Sequence, residues 1–499
     1  MRRVLFLLVC LAPLTALADD STHPIDRYFE RAWKEKGVTP APRSRNDDFL
    51  RRASLDVLGR PPRPAEVLAF QDAPDRDKKI DELLASDEAA EFFADEWIRI
   101  LIDERFDETL PLRVNVTTFR SMLVTSWKED VAYSTLVTQL LSATGDNVKQ
   151  PAVNFLLAAL DPKEPPHEAA TRTARIFLGQ QIQCARCHDH PTEKLTQEDF
   201  WAFTAFFSGT KAKARQTFDG YGVKVTDGPA QTIKIPDLGT EVAPRFLDGK
   251  RPDKPEHARA ELARFVTGSP LLARAVVNRT WAHFLGRGFY RAVDQVSGEA
   301  EHEPLLAALC DEFTRGGTSL RKLSRTILTS RVYQLSCEGD PANYAAMALK
   351  PQSPVQFLNT LTWVLALDVF LKNFYQQFLD NKALPEQYRQ SAVFRLYLIE
   401  FVRKLEVGGG VRRSLKLANG KDLQGLVSVG WGRLKEIVTE NETPDARIDA
   451  IFIALLARAP SADERKRYLD YVAKKKNANT AWEDVYWVVL NSTELLFNH

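Results

Sequence analysis

Five consecutive residues, Cys184-Ala185-Arg186-Cys187-His188, concentrate more reactive chemistry than any other stretch of the chain. Two thiols at this spacing lie one turn apart on a helical backbone, where each is placed to form a thioether with a vinyl group along one edge of a haem. The adjacent imidazole then falls under the iron as proximal ligand. His190 is too close in sequence to swing to the opposite haem face, which assigns it a supporting place near a propionate. A macrocycle of this kind must also be sheathed in apolar side chains. Phe200, Trp201, Phe203, Phe206 and Phe207 follow on a helix that Thr196 is placed to cap, with Phe200, Phe203 and Phe207 on one face. Taken alone, that face also reads as ordinary core.

Two other chemistries compete for the same residues. A Cys-x-x-Cys pair can be a redox disulfide, although such pairs usually follow a strand, and here helical sequence from about 168 to 183 precedes the motif. A zinc knuckle is the second, with His190 and either Cys310 or Cys337 completing a tetrahedral shell, because 184, 187, 188 and 190 alone would be cramped. For a haem iron the sixth position needs a further ligand, and His283 is the most interesting candidate beside His188. It sits on a helix at the head of a second domain, within reach of a domain interface; the alternative is a hydrogen-bonded core histidine. Arg279, one turn earlier, belongs to the same polar cluster. A hydrolytic reading finds neither a Gly-x-Ser-x-Gly elbow nor a His-Glu-x-x-His pair.

The elements that must position these residues are mainly α-helical. Phe49, Ala53 and Val57 recur at helical spacing before Gly59-Arg60-Pro61-Pro62 stops the helix, and another begins near Pro64. Residues 87–102 are aromatic on one side through Phe92, Phe93 and Trp97, and 114–160 add two or three helices around a turn at Gly145-Asp146. From about 210 to 250 the pattern alternates at Val223-Lys224-Val225 and Thr232-Ile233-Lys234-Ile235 between glycines and prolines, as a small β excursion or irregular connector does. Ser269-Pro270 then opens a strong helix that runs to Gly286. Ser461 and Glu464 have capping-box spacing, and Trp482, Val485, Tyr486, Val489 and Leu490 form a wide apolar face. The expected organisation is a helical domain over 24–209, a β-containing connector over 210–268 and a second helical domain over 269–499.

Composition sets the outer bounds. The 499 residues carry 67 Lys+Arg against 66 Asp+Glu, a formal charge of +1, so the basic excess that drives phosphate-backbone binding is missing and nucleic acid is not an expected partner. Arg2 and Arg3 precede the apolar run Val4 to Leu11, and Ala16-Leu17-Ala18 is a small-x-small site: residues 1–18 read as a secretory signal peptide, which removes Cys10. No later stretch looks membrane-spanning. The expectation is therefore an exported, periplasmic or secreted, protein in a compartment where free thiols oxidise.

Several segments resemble the secreted planctomycete cytochrome-like family, in which a cytochrome-like domain of unknown function precedes a second, planctomycete-specific one. Leu50-Arg51-Arg52-Ala53-Ser54-Leu55-Asp56-Val57-Leu58-Gly59-Arg60-Pro61-Pro62 looks like the opening signature of the first domain, and Cys184 to Pro191 with Thr196 to Phe200 like its Cys-x-x-Cys-His-x-His segment. Pro244 to Gly249 is similar to the link between the domains, Val277 to Gly288 to the start of the second, and Leu490 to His499 to its close. The chain departs from the pattern at Ala89-Ala90-Glu91-Phe92-Phe93, where Tyr-Gly-Glu-Arg-Trp is more usual, and at Gln334, where an arginine commonly follows the tyrosine. The resemblance implies a haem-binding or cytochrome-like role in an exported protein, without defining a reaction. Motif and resemblance together lead to an expected c-type haem protein that exchanges electrons with a redox partner protein. The alternative is a secreted binding or scaffold protein with zinc or a redox disulfide at the same segment.

Overall fold

The computed structural model describes residues 23–102, 114–161, 164–217, 220–236, 238–366, 424 and 427–498. The signal-like segment 1–18 and the terminal His499 lie outside them. The fold is mainly α, with only small sheets. Its first part contains α1 (Pro24–Lys36), α2 (Asn46–Leu58), α3 (Pro64–Asp72), α4 (Arg76–Leu84), α5 (Asp87–Ile102), α6 (Val116–Lys128), α7 (Tyr133–Ser142), α8 (Val153–Leu157), α9 (His167–Thr173) and α10 (Gln197–Thr204). Its second part contains α11 (Ala258–Thr267), α12 (Pro270–Leu285), α13 (Glu303–Arg315), α14 (Leu320–Thr329), α15 (Pro354–Val364), α16 (Gly432–Glu440), α17 (Pro444–Leu456), α18 (Ala462–Lys474), α19 (Ala478–Leu490) and α20 (Thr493–Leu496). Among the described residues, no helix is long and apolar enough to cross a membrane.

The β excursion is a hairpin. Strands β2 (Thr210–Thr217) and β3 (Gly220–Asp227) pair antiparallel from Thr210 opposite Asp227 to Thr217 opposite Gly220. Val223 and Val225 point inward and are buried while Lys224 between them is exposed, the two-residue period of a one-sided sheet. Gly145-Asp146, expected as a turn, is instead the edge strand β1, with Gly145 opposite Val225. A partner distant in sequence overrides the local turn preference there. Arg259 of α11 binds the hairpin to α7: it donates to Asp227 Oδ1 at 2.8 Å, to the Leu141 carbonyl at 2.7 Å and to the Ala143 carbonyl at 2.9 Å.

Helix α2 is the centre of the molecule. A surface helix buries one stripe, but α2 buries every residue from Phe49 to Leu58, two arginines and an aspartate included. Arg51 reaches the carbonyls of Leu455, Glu494 and Leu495, each at 3.2 Å, and Arg52 that of Leu335 at 3.0 Å. Asp56 accepts from Lys350 Nζ at 2.7 and 2.8 Å, from the Tyr333 hydroxyl at 3.0 Å and from Asn498 Nδ2 at 2.7 Å. The polar letters of the opening signature thus join the first part of the fold to the second and to the C-terminal strand β5 (Phe497–Asn498), which pairs with β4 (Lys350–Pro351). At Gly59, φ is +68°, and a Cβ would stand 2.2 Å from Phe92 Cδ2, so only glycine lets α5 approach the end of α2. Gln334 has a reason of its own: its side-chain oxygen accepts from Arg43 Nε at 3.1 Å and from Arg76 at 3.4 Å, and an arginine there would face two cations.

Helix α12 begins and ends where the sequence predicts. The Ser269 hydroxyl accepts from the Leu271 N–H, Pro270 occupies the first turn, and Gly286 closes the helix in the left-handed region. The last carbonyls of a helix lack intrahelical donors; Lys350 Nζ supplies one to His283 at 3.0 Å and to Phe284 at 2.8 Å. The capping box of Ser461 and Glu464 opens α18, and Trp482, Val485, Tyr486, Val489 and Leu490 of α19 are buried.

Candidate functional site

Upstream of the cysteine segment, α9 runs into a single π turn, Ala174–Leu178, and stops at Gly179 in the left-handed region, a few residues short of the helical stretch expected from sequence. The backbone then makes a 3₁₀ turn over Gln183–Arg186, with Cys187 continuing in the α region. Cys184 lies within this turn and Cys187 directly follows its last residue. Both thiols are exposed and unbonded, and Ala185 beneath them is fully buried as the anchor of the turn.

Helix α10 holds the turn in place. Gln197 Nε2 and Trp201 Nε1 both donate to the Arg186 carbonyl at 3.1 Å, and the Gln197 N–H donates to Asp189 Oδ1 at 2.8 Å. Thr196 caps α10 as expected, in a reciprocal box with Asp199. Arg245 of the connector pairs with Glu198 at 3.0 Å and Asp199 at 3.1 Å, fixing the same helix end. Sequence reasoning missed Gln197 as a positioning residue. The available signal was Asp189 itself, a short acceptor eight residues before an exposed helix start.

The two histidines differ in tautomer. His188 is exposed, and its Nδ1 lies 2.7 Å from the Asp189 carbonyl, an acceptor only, so Nδ1 carries the proton. That leaves the Nε2 lone pair open, the orientation that a carbonyl imposes on a metal-ligating imidazole. His190 is reversed: its Nδ1 accepts from the Glu193 N–H at 2.9 Å and the Thr192 N–H at 3.3 Å. The neutral ring then presents Nε2–H, a donor suited to an anionic group and unsuited to a metal.

Phe200 and Phe203 lie on α10 and Phe207 in the 3₁₀ turn that follows it, and all three are fully buried. Phe203 packs on Phe206 and Phe246, centroids 6.2 and 5.9 Å apart, and both partners meet Phe265 of α11. These rings are occupied by protein on every side and offer no open wall to a macrocycle. As a fit for haem c, the donor set is right, with two accessible thiols and a correctly oriented imidazole, while the aromatic helix acts as the footing of the turn.

His283 is not brought to this segment. Its Nε2 lies 2.9 Å from the Asp56 carbonyl, and its ring meets Phe92 of α5 and Phe284. The remaining cysteines are also elsewhere and are not bonded to each other. Burial pushes the Cys310 thiol up to about 12 and raises that of Cys337, which lies 3.6 Å from Arg52 Nη2. Neither is poised as a thiolate. Among the described residues no three His, Cys, Asp or Glu side chains converge in a metal-holding group.

Two family models match the chain. Residues 24–212 match the family described as PSCyt2, a protein of unknown function (DUF1549), and residues 258–354 that described as PSD1, a protein of unknown function (DUF1553). The chain thus carries two domains of unknown function in that order. No curated protein and no solved structure matches it.

Proposed function

We propose that the protein is an exported c-type haem protein that passes electrons to a partner protein, with Cys184 and Cys187 as covalent tethers and His188 as proximal ligand. The observation that carries this reading is the exposed pair of thiols in and just after a 3₁₀ turn, followed by an imidazole whose Nδ1–H is held by a backbone carbonyl, leaving Nε2 as the ligating nitrogen. When bound, haem c supplies a one-electron iron couple. The chain's own part is to hold that group at its surface: Ala185, Gln197 and Trp201 fix the turn, and His190 offers Nε2–H toward a propionate. The resemblance to the planctomycete cytochrome-like family supports the same assignment, as do the signal-like residues 1–18, which suit the periplasmic or secreted compartment where haem c is attached.

Expression in a host with haem c maturation, followed by haem staining on a denaturing gel and mass spectrometry of the peptide containing residues 184–188, tests this. Wild type should carry covalent haem; Cys184→Ala with Cys187→Ala should lose it; His188→Ala should keep it with an altered visible spectrum. Folded wild-type protein with both thiols unmodified overturns the proposal. A second reading, a redox dithiol, is favoured by the same exposed and unbonded thiols, and a mass lacking two hydrogens on that peptide would identify it.

A further inference from the structure

The face of α12 that carries Arg279 and His283 does not reach the cysteine turn. It lines a cavity of about 140 Å³ between α2, α5, α12 and α14 that is partly open to solvent. Its walls are aromatic: Phe92, Phe93 and Trp97 from α5 and Trp127 from α6. A cavity of about 150 Å³ lined by apolar side chains is large enough to take up benzene, so this one matches a single six-membered ring.

Three polar groups open into it. Arg279 donates through Nη1 to the Ile176 carbonyl at 2.9 Å, and among the described residues no carboxylate stands within ion-pair distance of it. Asp294, whose charge it feels, is taken by Gln181 at 2.9 Å and Arg175 at 3.6 Å; Glu96, across the cavity, is taken by the Ser353 hydroxyl at 2.6 Å and Arg99 at 3.6 Å. Burial pushes the Arg279 guanidinium below its usual range, the mark of a cation without a counter-charge. Ser324 is buried, and among the described residues its hydroxyl has no hydrogen-bond partner. His283 uses Nε2–H on the Asp56 carbonyl, which leaves its Nδ1 lone pair without a donor. Arg279 is a half-buried cation with no counter-charge, and a charged acceptor supplied by a ligand would give it one while accepting from the Ser324 hydroxyl as well.

We propose that this cavity is a binding site for a single-ring aromatic carboxylate, benzoate being the simplest member. The ring stacks among Phe92, Phe93 and Trp97, and the carboxylate accepts from Arg279 and Ser324. A ring hydroxyl, where present, donates to His283 Nδ1. The inference is independent of the haem assignment, since no residue of the 184–207 segment lines the cavity.

Isothermal titration of the full-length mature chain with benzoate, benzamide and hexanoate is the test. Benzoate should bind saturably, with benzamide and hexanoate each about tenfold weaker or more, the effect of losing one charge-assisted contact or the ring fit. Arg279→Gln should weaken benzoate by a similar factor, and Ser324→Ala by less. Should Arg279→Gln fail to fold, the wild-type comparison of benzoate with benzamide, together with Ser324→Ala, still decides. Equal binding of benzoate and benzamide, absence of saturable benzoate binding at millimolar concentration, or a folded Arg279→Gln protein with unchanged affinity overturns the site; hexanoate binding as tightly as benzoate overturns the aromatic class.

Discussion

Asp56 gives both its carboxylate oxygens to Lys350, Tyr333 and Asn498 inside the protein, while Cys184, Cys187 and the Nε2 of His188 face solvent with no partner among the described residues. Both regions coincide with signature-like stretches of the sequence, and both are dense in polar residues. The first joins three distant parts of the chain; the second is joined to its neighbours through Ala185, the Arg186 carbonyl and Asp189, and through Arg186 Nη1, 3.4 Å from His167 Nε2. Reactive side chains held on a supported turn but left unsatisfied are available to something outside the chain. Those satisfied by the chain itself are part of its fold.

The sharpest way to break this comparison is to remove Asp56. Lys350 is buried, and burial pushes its ammonium below the usual range, with Asp56 opposing that shift. Asp56→Ala leaves the ammonium without its counter-ion and should cost about 3–5 kcal/mol. Against a total stability of about 5–15 kcal/mol, that brings the protein near its unfolding threshold. Adding Lys350→Met should recover part of the loss, because the uncompensated charge is gone. Urea unfolding of the two variants measures both terms. A loss below about 1 kcal/mol for Asp56→Ala would mean that the network is not what unites the two parts of the fold.

Why α2 could not be recognised as central from its sequence follows from the same residues. Arg51, Arg52 and Asp56 normally mark a solvent-facing side, and helical periodicity says nothing of carbonyls far along the chain that a long guanidinium can reach. Signals that act within one turn were legible: Ser269-Pro270 and Gly286 bound α12, and Ser461 with Glu464 opens α18. Signals that depend on a distant partner were not, as at Gly145-Asp146, where strand β3 decides the structure. The candidate site divides in the same way. The cysteine spacing and the buried face of α10 were readable, whereas the 3₁₀ form of the turn depends on Gln197 and Trp201 folding back onto Arg186. Arg279, His283 and the aromatic side of α5 each stood out, but only the packing of α5 against α12 reveals the cavity that they share.

A smaller effect is expected at an intermediate case, the partly exposed pair of Arg458 with Glu464. Hydrogen bonds from Arg458 hold the Glu464 carboxyl down at about 2, below its ordinary 4.5. The folded-state value is depressed, so this contribution is complete above the unfolded carboxyl's range and is lost as pH falls from about 4.5 toward about 2. Glu464→Gln should cost about 1 kcal/mol or less at neutral pH. The difference in Tm between variant and wild type should shrink as the pH is lowered through that window. A gap that stays constant down to pH 2 would assign the effect to the helix cap at Ser461 rather than to the ion pair.

The smallest effect should come from the most reactive residues. Cys184→Ala with Cys187→Ala removes two exposed thiols that touch nothing the fold needs, and the backbone bonds from Gln197 and Trp201 to Arg186 remain. Substitutions at such positions usually stay within about 0.5 kcal/mol of wild type. The prediction has force because the scaffold reading requires the opposite: a structural zinc at this segment would contribute to folding outright, so losing its two thiolates would cost several kcal/mol and make wild-type stability sensitive to chelators. Thermal unfolding of apo wild type and of the double variant, with and without a chelator, separates the two. Coincident curves keep the turn as a supported but unoccupied handle for a covalent group. A large drop in the variant, matched by chelation of the wild type, would move Cys184 and Cys187 to the same side of the comparison as Asp56.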